Sequence, residues 1–432
     1  MKKGILVLLV ILPLLGLTQE EKKFGIKFHG FVKSDIFWDT RQTVDAREGH
    51  FLLYPQNESL DINGDDINAT SKFNILSIQT RLKGVISGPD VWGAKTSGLI
   101  EGAFFGNIGT DINGFRLRHA FVKLTWEKSE LLVGQFWHPM FVTSCFPGTV
   151  SFNTGTPFQP FARNPQIRFT KRFGKFNLIG TVIEQVDFVD KGPAGVSRSY
   201  LINNAFPEMN LRFEFKSESL LIGAGLNYKS LLPRMSLTNT YDVSSNIEPI
   251  TYKLNEKVTG TGYFGYFKYM AKPITVKLYG VLGQMMFSMT NIGGYAETEI
   301  VREQIPVIQP GPGPIDTAYK TTNIKYSPTT TMSFWTDIHT NGKTWQFGLF
   351  GGYSKNKGSK DIIVGDIYSR GSNIDYAYRI SPRVIYNNGK FRIAPEIEYT
   401  VAAYGTPDEK GIVKDSKEIA NFRFLIGVYF FF

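Results

Sequence analysis

The chain has 432 residues, a formal net charge of +10 and a single cysteine. A lone cysteine cannot form an intrachain disulfide, which excludes a small extracellular fold held together by such bridges. No segment reaches the roughly 18–20 uninterrupted apolar residues that a membrane-spanning helix needs. Glycine, phenylalanine and tyrosine are abundant, a mixture that favours strands over helices. The basic charge suits anionic lipids, anionic solutes or nucleic acid as partners.

Residues 1–19 are predicted to form an export signal. Two lysines precede an apolar segment, residues 5–17, which is too short to span a membrane. Cleavage is expected after Thr18 or Gln19, and no cysteine lies there to take a lipid anchor. The alternative is a buried N-terminal helix. We assign residues 20–432 to the mature domain.

Several segments of the mature chain alternate apolar and polar residues. In PEMNLRFEFK, Met209, Leu211 and Phe213 point to one side, whereas Asn210 and Arg212 point to the other. Alternation with a period of two predicts strands that have one apolar face and one polar face. Soluble β-sandwiches show the same pattern, so the connections between the strands must decide the architecture.

The predicted connections are alternately short and long. Short links, most of them rich in Gly, Asn, Pro, Ser or charge, are expected at 87–93, 127–130, 171–175, 216–219, 270–273, 340–343 and 387–390. Long links are expected near 41–71, 107–114, 138–165, 189–207, 230–257, 286–328, 355–372 and 405–418. Tight turns at one end and long loops at the other are typical of outer-membrane barrels.

The chain is therefore predicted to be all-β, a transmembrane antiparallel β-barrel with short periplasmic turns and long extracellular loops. About sixteen strands are expected, at 24–40, 72–87, 94–106, 115–126, 131–138, 166–172, 176–188, 207–215, 220–230, 257–269, 274–285, 329–339, 344–354, 373–386, 391–404 and 419–432. Lipid cannot satisfy the backbone groups of an open sheet edge, so the strands must close.

Aromatic residues near strand ends resemble the interface girdles of membrane barrels. They are Trp38, Trp126, Trp137, Tyr228, Tyr353, Tyr399 and Tyr429. The alternative is that they fill the core of a soluble β protein. One strand, 115–126, has no cleanly apolar face, because Arg116 and Arg118 share one face while His119 and Lys123 share the other. A strand that packs against a neighbouring subunit could tolerate this, and we state that as a hypothesis.

No complete catalytic or metal-binding motif is present in the sequence. Gly260, Gly262 and Gly265 form a G-x-G-x-x-G, but they lie inside a predicted strand. They are expected to make room for aromatic neighbours or for barrel curvature rather than to bind a dinucleotide. The histidines lack zinc-ligand spacing, and Cys145 has no triad signature. We expect no cofactor and no enzyme activity.

The third long link is unusually apolar for an exposed loop. It contains Phe141, Phe146, Phe152, Phe158 and Phe161 among Pro, Gly and Thr. Such a loop is expected to fold into the barrel, pack on its wall and narrow the pore. The predicted constriction is formed by Phe158, Gln159, Phe161 and Arg163. The alternative is a loop that packs against other external loops.

Assigning faces by alternation places more basic than acidic side chains in the lumen. The basic residues predicted to set selectivity, besides Arg163, are Arg168, Arg212, Lys277, Arg379, Arg383, Arg392 and Arg423, and Lys33, Arg81, Lys83 and Arg172 share their face. The acidic residues are Asp35, Asp39, Glu101, Glu214, Asp337, Glu396 and Glu398. Positive charges that line a pore favour anions. The alternative is that these charges pair across the lumen and only stiffen the barrel.

The terminal segment FRFLIGVYFFF is predicted to be the last strand. Its lipid-facing residues are expected to be Phe422, Phe424, Ile426, Val428, Phe430 and Phe432, with Arg423 on the lumen side. Phe432, with apolar residues at every second position before it, resembles the signal read by the barrel assembly machinery of the outer membrane.

Roughly residues 115–170, together with the terminal phenylalanine, resemble the DcaP-like trimeric porins of Gram-negative outer membranes. The resemblance is carried by RLRHAFVKLTW, LLVGQFWHPMF and CFPGTVSFNTGTPFQPFARNPQIRF. It implies a homotrimer of barrels that admits small, often anionic solutes such as carboxylates. Some members carry an N-terminal coiled coil, but here only residues 19–23 separate the signal from the first strand. Contacts between barrel walls are then expected to hold the trimer.

The sequence thus predicts a porin of the outer membrane, a water-filled channel for passive diffusion of small hydrophilic, anionic solutes. Outer-membrane lipid and lipopolysaccharide are the expected surroundings, and no nucleic acid partner is expected. Two alternatives remain. The phenylalanine-rich loop would suit a substrate-specific transporter for hydrophobic or aromatic compounds. An outer-membrane barrel hydrolase would need a Ser–His pair within hydrogen-bond reach.

Overall fold

The computed structural model describes residues 24–106, 111–239, 250–306 and 317–432. The predicted signal peptide, residues 1–19, lies outside the described residues. Short helical turns occur at α1 (Ser199–Ile202) and as 3₁₀ turns at Ile67–Ala69 and Met286–Met289. None of the helices in the described ranges is long and apolar enough to cross a membrane.

Strands make up most of the described chain. In chain order they are β1 (Gly25–Asp39), β2 (Thr43–Ala46), β3 (Phe51–Pro55), β4 (Lys72–Leu76), β5 (Arg81–Ser87), β6 (Lys95–Ala103), β7 (Arg116–Thr125), β8 (Ser129–Trp137), β9 (Arg163–Phe173), β10 (Phe176–Ile183), β11 (Lys191–Gly192), β12 (Gly195–Val196), β13 (Glu208–Lys216), β14 (Leu220–Leu231), β15 (Ser236–Asn239), β16 (Ile250–Lys253), β17 (Val258–Met270), β18 (Ile274–Gln284), β19 (Gly293–Pro306), β20 (Thr317–Thr340), β21 (Trp345–Ser359), β22 (Ile367–Arg370), β23 (Ile374–Asn388), β24 (Phe391–Pro407) and β25 (Val413–Phe431).

Sixteen barrel strands, counting β4 and β5 as one interrupted strand, close into a single antiparallel barrel, as predicted. The others are β1, β6 to β10, β13, β14, β17, β18, β20, β21 and β23 to β25. The last strand closes on the first, with a register that runs from Phe31 beside Phe431 to Asp39 beside Arg423. The described barrel therefore has no open edge that would present unpaired backbone groups to lipid.

The connections follow the predicted alternation of short turns and long loops. Residues 174–175 join β9 to β10, and residues 389–390 join β23 to β24, both at the same rim. The opposite rim carries long loops such as 138–162 and 184–207. In outer-membrane barrels the short turns are periplasmic, and we orient the chain accordingly.

The two faces of the barrel wall differ sharply in polarity. On β25, Phe424, Ile426 and Phe430 are exposed on the outside, whereas Arg423 and Leu425 are buried inside. This confirms the predicted placement of the terminal strand between an apolar and a polar environment. An exterior of alternating large apolar residues is stable only in contact with lipid.

Two of the predicted girdle aromatics are placed wrongly by sequence reasoning. Trp137 lies inside the barrel, where its ring stacks on Phe141 at a centroid distance of 3.9 Å. It ends β8 at the point where the chain turns inward. Tyr429 shares the lumen face of β25 with Arg423, and its ring centroid is 4.9 Å from Lys33 Nζ. Trp38, by contrast, is exposed on the outside of the wall.

A β-bulge explains the strand that had no apolar face. Glu101 pairs with His119 but the next residue, Gly102, pairs with Leu117, so β7 has one residue more than β6 at this point. The extra residue changes which side chains point inward. Arg118 and His119 are both buried as a result, while Leu117 and Val122 are exposed on the outside. The mixed pattern therefore comes from a bulge within one barrel wall.

The long loops contain strands that the sequence analysis missed. β2 and β3 form a hairpin, β15 pairs with β16, and β19 pairs with the outer half of β20. Their side chains do not alternate between lipid and water, because both faces of these hairpins contact protein or solvent. The period of two that identified the barrel strands is therefore weaker in them.

Replacing Ile426 by arginine places a charge in the outward face of β25, well inside the apolar band. The free energy of unfolding is expected to fall by about 2–4 kcal/mol, since arginine costs that much near the bilayer centre. Phe430→Arg, close to the periplasmic rim, is the matched control and should cost only about 0–1 kcal/mol. Urea unfolding in lipid vesicles measures both losses, and equal losses would contradict the orientation assigned to this strand.

Candidate functional site in the barrel interior

The third long loop, residues 138–162, folds into the barrel, as predicted. It leaves the wall after β8, crosses the lumen and returns to the wall at β9. Its residues Met140, Phe141, Phe152, Phe158 and Phe161 belong to the main buried cluster. The loop therefore occupies the barrel interior and sets how much space remains for a solute.

Acidic side chains of the far wall accept hydrogen bonds from the loop. Asp337 accepts from the backbone N–H of Gly148 at 3.2 Å, and Glu396 accepts from the N–H of Val150. Glu398 accepts from the side-chain amide of Asn153 at 2.8 Å. An unpaired backbone N–H buried this deeply would cost about 1–3 kcal/mol, so these carboxylates fix the position of the loop.

Basic side chains of the wall complete the attachment by donating to loop carbonyls. Arg212 donates to the carbonyl oxygen of Pro139 at 3.0 Å, Lys277 to that of Phe146 at 3.0 Å, and Arg379 to that of Thr156 at 2.8 Å. Three of the residues predicted to set selectivity are therefore engaged in holding the loop. Lys277 also lies 3.2 Å from Asp337, and Arg379 lies 3.5 Å from Glu398. Arg212 has no carboxylate within 4.0 Å among the described residues, and a carbonyl does not neutralise its charge.

The predicted constriction residues are buried within the loop's contacts with the wall. Phe158 and Gln159 are fully buried, and Trp335 donates its indole N–H to Gln159. Phe161 packs edge-on against Trp137. These residues shape the loop rather than expose their side chains to an open passage, and their predicted part in selectivity stays a prediction.

The first long loop also enters the barrel, which sequence reasoning did not foresee. Its hairpin, β2 with β3, is buried: Arg379 donates to the carbonyl of Leu53 at 2.9 Å, and Tyr404 donates to that of Pro55 at 2.6 Å. The preceding His50 hydrogen-bonds Asp35 on β1 at 3.0 Å. FLLYP in the sequence is an apolar run that could have suggested a buried position.

Arg163 does lie at a charged centre, but it is paired there. Its partner is Asp187, in the loop after β10. One carboxylate oxygen of Asp187 lies 2.8 Å from Arg163 Nε and 2.7 Å from Arg163 Nη2. The other oxygen of Asp187 is 2.7 Å from Arg116 Nη2 and 4.0 Å from Arg47 Nη2. Burial raises the pKa of the Asp187 carboxyl, but the three guanidinium groups outweigh it and lower that pKa to about 2.

A second group of arginines adjoins this centre. Arg118 donates to Glu101 at 2.7 Å, and Arg81 Nε lies 3.5 Å from the same carboxylate oxygen. The aromatic rings of Phe105 and Trp137 lie within about 6 Å of the Arg118 guanidinium. Together, five guanidinium groups share two carboxylates, which leaves an excess of three positive charges.

The remaining predicted selectivity residues differ in how they are paired. Arg383 lies 2.7 Å from Asp337, and Arg423 makes a two-point contact with Asp39 at 2.7 and 2.9 Å. Arg392 bonds only the amide oxygen of Asn387, at 2.7 Å. Part of the predicted basic face is therefore neutralised locally, as the alternative interpretation of these charges required.

Several basic groups on the lumen face have no carboxylate within 4.0 Å among the described residues. They are Lys83, Arg168, Arg212, Lys268 and Arg392. By contrast, lumen carboxylates without an ion pair are covered by neutral donors, as when Glu214 accepts from the hydroxyl of Tyr266 at 2.7 Å. The potential left in the lumen is therefore positive.

Other chemically active groups are accounted for by packing. Burial raises the pKa of the Cys145 thiol to about 12, so it is inert at neutral pH. A Cβ at Gly262 would lie 3.4 Å from Met140 of the third loop, and one at Gly260 would lie 2.8 Å from Met285, so these glycines make room for neighbours. The described residues contain no group of three or more His, Cys, Asp or Glu that could bind a metal ion.

A closed sixteen-strand barrel with short turns at one rim and an inward third loop is the fold of outer-membrane porins. Among solved structures, the chain is similar to the outer membrane channel DcaP of Acinetobacter baumannii, with 13% identity over 95% of this chain and 97% of that chain and a TM-score of 0.64.

Two further structures show the same fold at lower similarity. The anion-selective porin from Comamonas acidovorans is 12% identical over 95% of this chain and 100% of that chain, with a TM-score of 0.51. OmpT of Vibrio cholerae is 10% identical over 95% and 98%, with a TM-score of 0.52. No family model and no curated protein matches the chain. The resemblance to DcaP-like porins is thus confirmed at the level of the fold.

Two adjacent glycines on β21 provide a direct test of how the third loop packs on the barrel wall. A Cβ at Gly352 would lie 2.5 Å from the ring of Phe158, whereas one at Gly351, on the outer face, would make an ordinary 3.6 Å contact with Thr336. Gly352→Ala should lower the free energy of unfolding by about 1–3 kcal/mol through overpacking and change the single-channel conductance. Gly351→Ala should do neither, and similar effects for both would argue against the loop packing described.

The Asp187 ion pairs should resist mild acid. A carboxyl with a lowered pKa contributes stability above its unfolded pKa of about 3.9 and loses it only as the pH falls through its folded value of about 2. The difference in urea midpoint between the parent chain and Asp187→Asn should therefore stay constant from about pH 8 to 5 and shrink between about pH 4 and 2. A difference that vanishes already above pH 5 would contradict this pairing.

Proposed function

We propose that the protein is an outer-membrane porin, a passive diffusion channel that favours small anionic solutes. The observation that carries the proposal is the charge of the interior. Basic groups on the lumen face outnumber the carboxylates available to them, and the carboxylates are paired or covered, as with Glu101 and Glu214. Such a lumen lowers the energy of an anion and raises that of a cation.

The location in the outer membrane is supported by the wall and by the relatives in fold. The outward faces of the barrel strands carry large exposed apolar residues such as Phe213, Leu278, Phe334 and Ile397, which lipid can cover. The similar structures named above are outer-membrane proteins. Export by the predicted signal, contact with lipopolysaccharide and insertion through the barrel assembly machinery by way of Phe432 belong to the same proposal.

The third loop, together with the β2–β3 hairpin, sets the size limit. Glu396 and Glu398 accept hydrogen bonds from the third loop, and Arg379 donates one to the hairpin, so both segments are fixed to the wall. Four of the five phenylalanines of the loop are buried against their neighbours, as Phe141 is against Phe161, and only Phe146 is exposed. This arrangement favours a rigid constriction over a transporter that binds hydrophobic compounds.

A homotrimer is the proposed assembly. The resemblance to DcaP-like porins implies it, and one of the OmpT structures is described as a trimer form. The wall from β6 to β8 has short strands, and its outward residues Ile100, Val122 and Val133 are exposed. We propose this face as the contact between barrels.

Charge reversal in the lumen tests the anion preference. In planar bilayers under a potassium chloride gradient, the parent chain should form open channels with a reversal potential that indicates anion preference. Arg168→Glu combined with Lys268→Glu should lower the anion-to-cation permeability ratio by roughly twofold to fivefold, because a unit charge a few ångströms away in water is worth up to about 1 kcal/mol.

Lys272→Glu, at an exposed periplasmic turn, removes the same kind of charge outside the lumen and should leave the ratio nearly unchanged. Cation preference in the parent chain would refute the proposed selectivity. A folded barrel that never conducts would refute the channel itself.

A further inference from the structure

An apolar groove lies on the outer face of the barrel wall, in its periplasmic half. One row of directly paired residues crosses five strands, from Phe213 through Ala224, Gly265 and Gly280 to Phe334. The two phenylalanines are exposed on the outside, and the three small residues between them help to form a groove of about 1000 Å³. Each member of the row lies three to six residues from the periplasmic end of its strand. The groove therefore faces the periplasmic leaflet of the membrane.

The two glycines of this row are not required by their surroundings. A Cβ at Gly265, the third glycine of the G-x-G-x-x-G, would lie 3.7 Å from the carbonyl oxygen of Gly223, and one at Gly280 would lie 4.0 Å from that of Ser333. Neither glycine has a positive φ, and the pairings on both sides contain no bulge. A glycine inside a strand is otherwise found where a ligand or another backbone approaches closely. The described chain leaves this space open, so the approaching group must come from the membrane.

The groove reaches the periplasmic rim at two basic turns. Phe176 and Phe215 line its lower end, and they are next in sequence to Lys175 and Lys216. The backbone N–H of Lys216 donates to the carbonyl of Lys175 at 2.8 Å, so the two turns lie side by side. Both lysines are exposed, and neither has a carboxylate within 4.0 Å among the described residues. They line a second cavity of about 700 Å³, in which Glu218 is the one acidic residue.

We propose that this groove binds one anionic phospholipid of the periplasmic leaflet, with an acyl chain against Gly265 and Gly280 and the phosphate beside Lys175 and Lys216. The inference goes beyond the proposed function, because it concerns the outer face of the barrel and not its lumen. The acyl chain is surrounded by hydrocarbon whether it is bound or free, so binding depends on closer packing against the wall. The lysines supply the preference for an anionic headgroup.

The shape of the groove suits a hydrocarbon chain and not a second barrel. Phe213 and Phe334 stand four strand spacings apart, roughly 19 Å, and their rings project beyond the small residues between them. The wall of a neighbouring barrel is convex and would meet these rings before it reached the floor of the groove. A flexible chain can follow the floor, and the lysines at its lower end match a phosphate.

Gly265→Leu tests the acyl-chain site, because the new side chain fills the centre of the groove. The probe is dioleoylphosphatidylglycerol, and native mass spectrometry of the purified protein in mild detergent measures how tightly it is retained. The parent chain should retain one molecule per barrel, and Gly265→Leu should weaken its binding by about tenfold through lost packing. Gly180→Leu is the matched control, since a Cβ there meets nothing within 4 Å and Gly180 does not line the groove. It should leave the binding unchanged.

Lys175→Gln combined with Lys216→Gln tests the headgroup site. This pair should weaken the binding of dioleoylphosphatidylglycerol by about tenfold and leave that of dioleoylphosphatidylcholine, which has the same chains and no net charge, unchanged. Gly265→Leu should weaken the binding of both lipids. Lys95→Gln combined with Lys390→Gln removes two exposed lysines from the periplasmic rim away from the groove, and it should have no effect on either lipid.

Four results would overturn the inference in barrels that still show heat-modifiable migration on gels. The first is unchanged binding in Gly265→Leu, and the second is an equal loss in Gly180→Leu or in the control lysine pair. The third is a loss in the Lys175 and Lys216 pair without any loss in Gly265→Leu, which would mean that the rim binds anions, such as an acidic polymer of the periplasm, without the groove. The fourth is tighter retention of lipopolysaccharide than of dioleoylphosphatidylglycerol, which would assign the groove to the lipid of the opposite leaflet.

Discussion

Inside this barrel every charged or polar group that has left water needs a partner, and most of the interior follows from that requirement. The loop backbone supplies N–H groups to Glu396 and carbonyls to Arg379, so wall and loop satisfy each other. Either part alone would leave buried groups unpaired at about 1–3 kcal/mol each. The inward loop and the charged wall are therefore two halves of one arrangement.

The same requirement distinguishes charges that hold the structure together from charges that act on a solute in the lumen. A charge that is paired, such as Arg423 with Asp39, stiffens the wall and contributes little to the field in the lumen. A charge that only donates to a carbonyl, such as Arg212 to Pro139, holds the loop and remains positive toward a passing solute. Such groups combine both roles, because a neutral acceptor lowers the cost of burying the cation without cancelling its charge.

The barrel itself was predictable from the sequence, because its two environments impose a strict period of two and its two rims impose different connection lengths. β13, and β25 from Ile419 to Gly427, show this period without interruption. The period failed at β7, where a bulge shifted the pairing, and sequence alone gives no sign of a one-residue insertion in a ladder. It also failed for β3, because a strand buried inside the barrel on both faces has no polar side to alternate with.

Sequence composition could predict where the site lies, but not which carboxylate pairs with its arginines. The phenylalanine-rich loop and Arg163 could be singled out, yet Asp187 could not, because it lies in an ordinary loop and meets Arg47 only through the fold. Only the folded structure shows that three guanidinium groups surround this aspartate. Five arginines meet only two carboxylates among the described residues nearby, Asp187 and Glu101, so the surplus of positive charge arises from the fold and is invisible in the order of the residues.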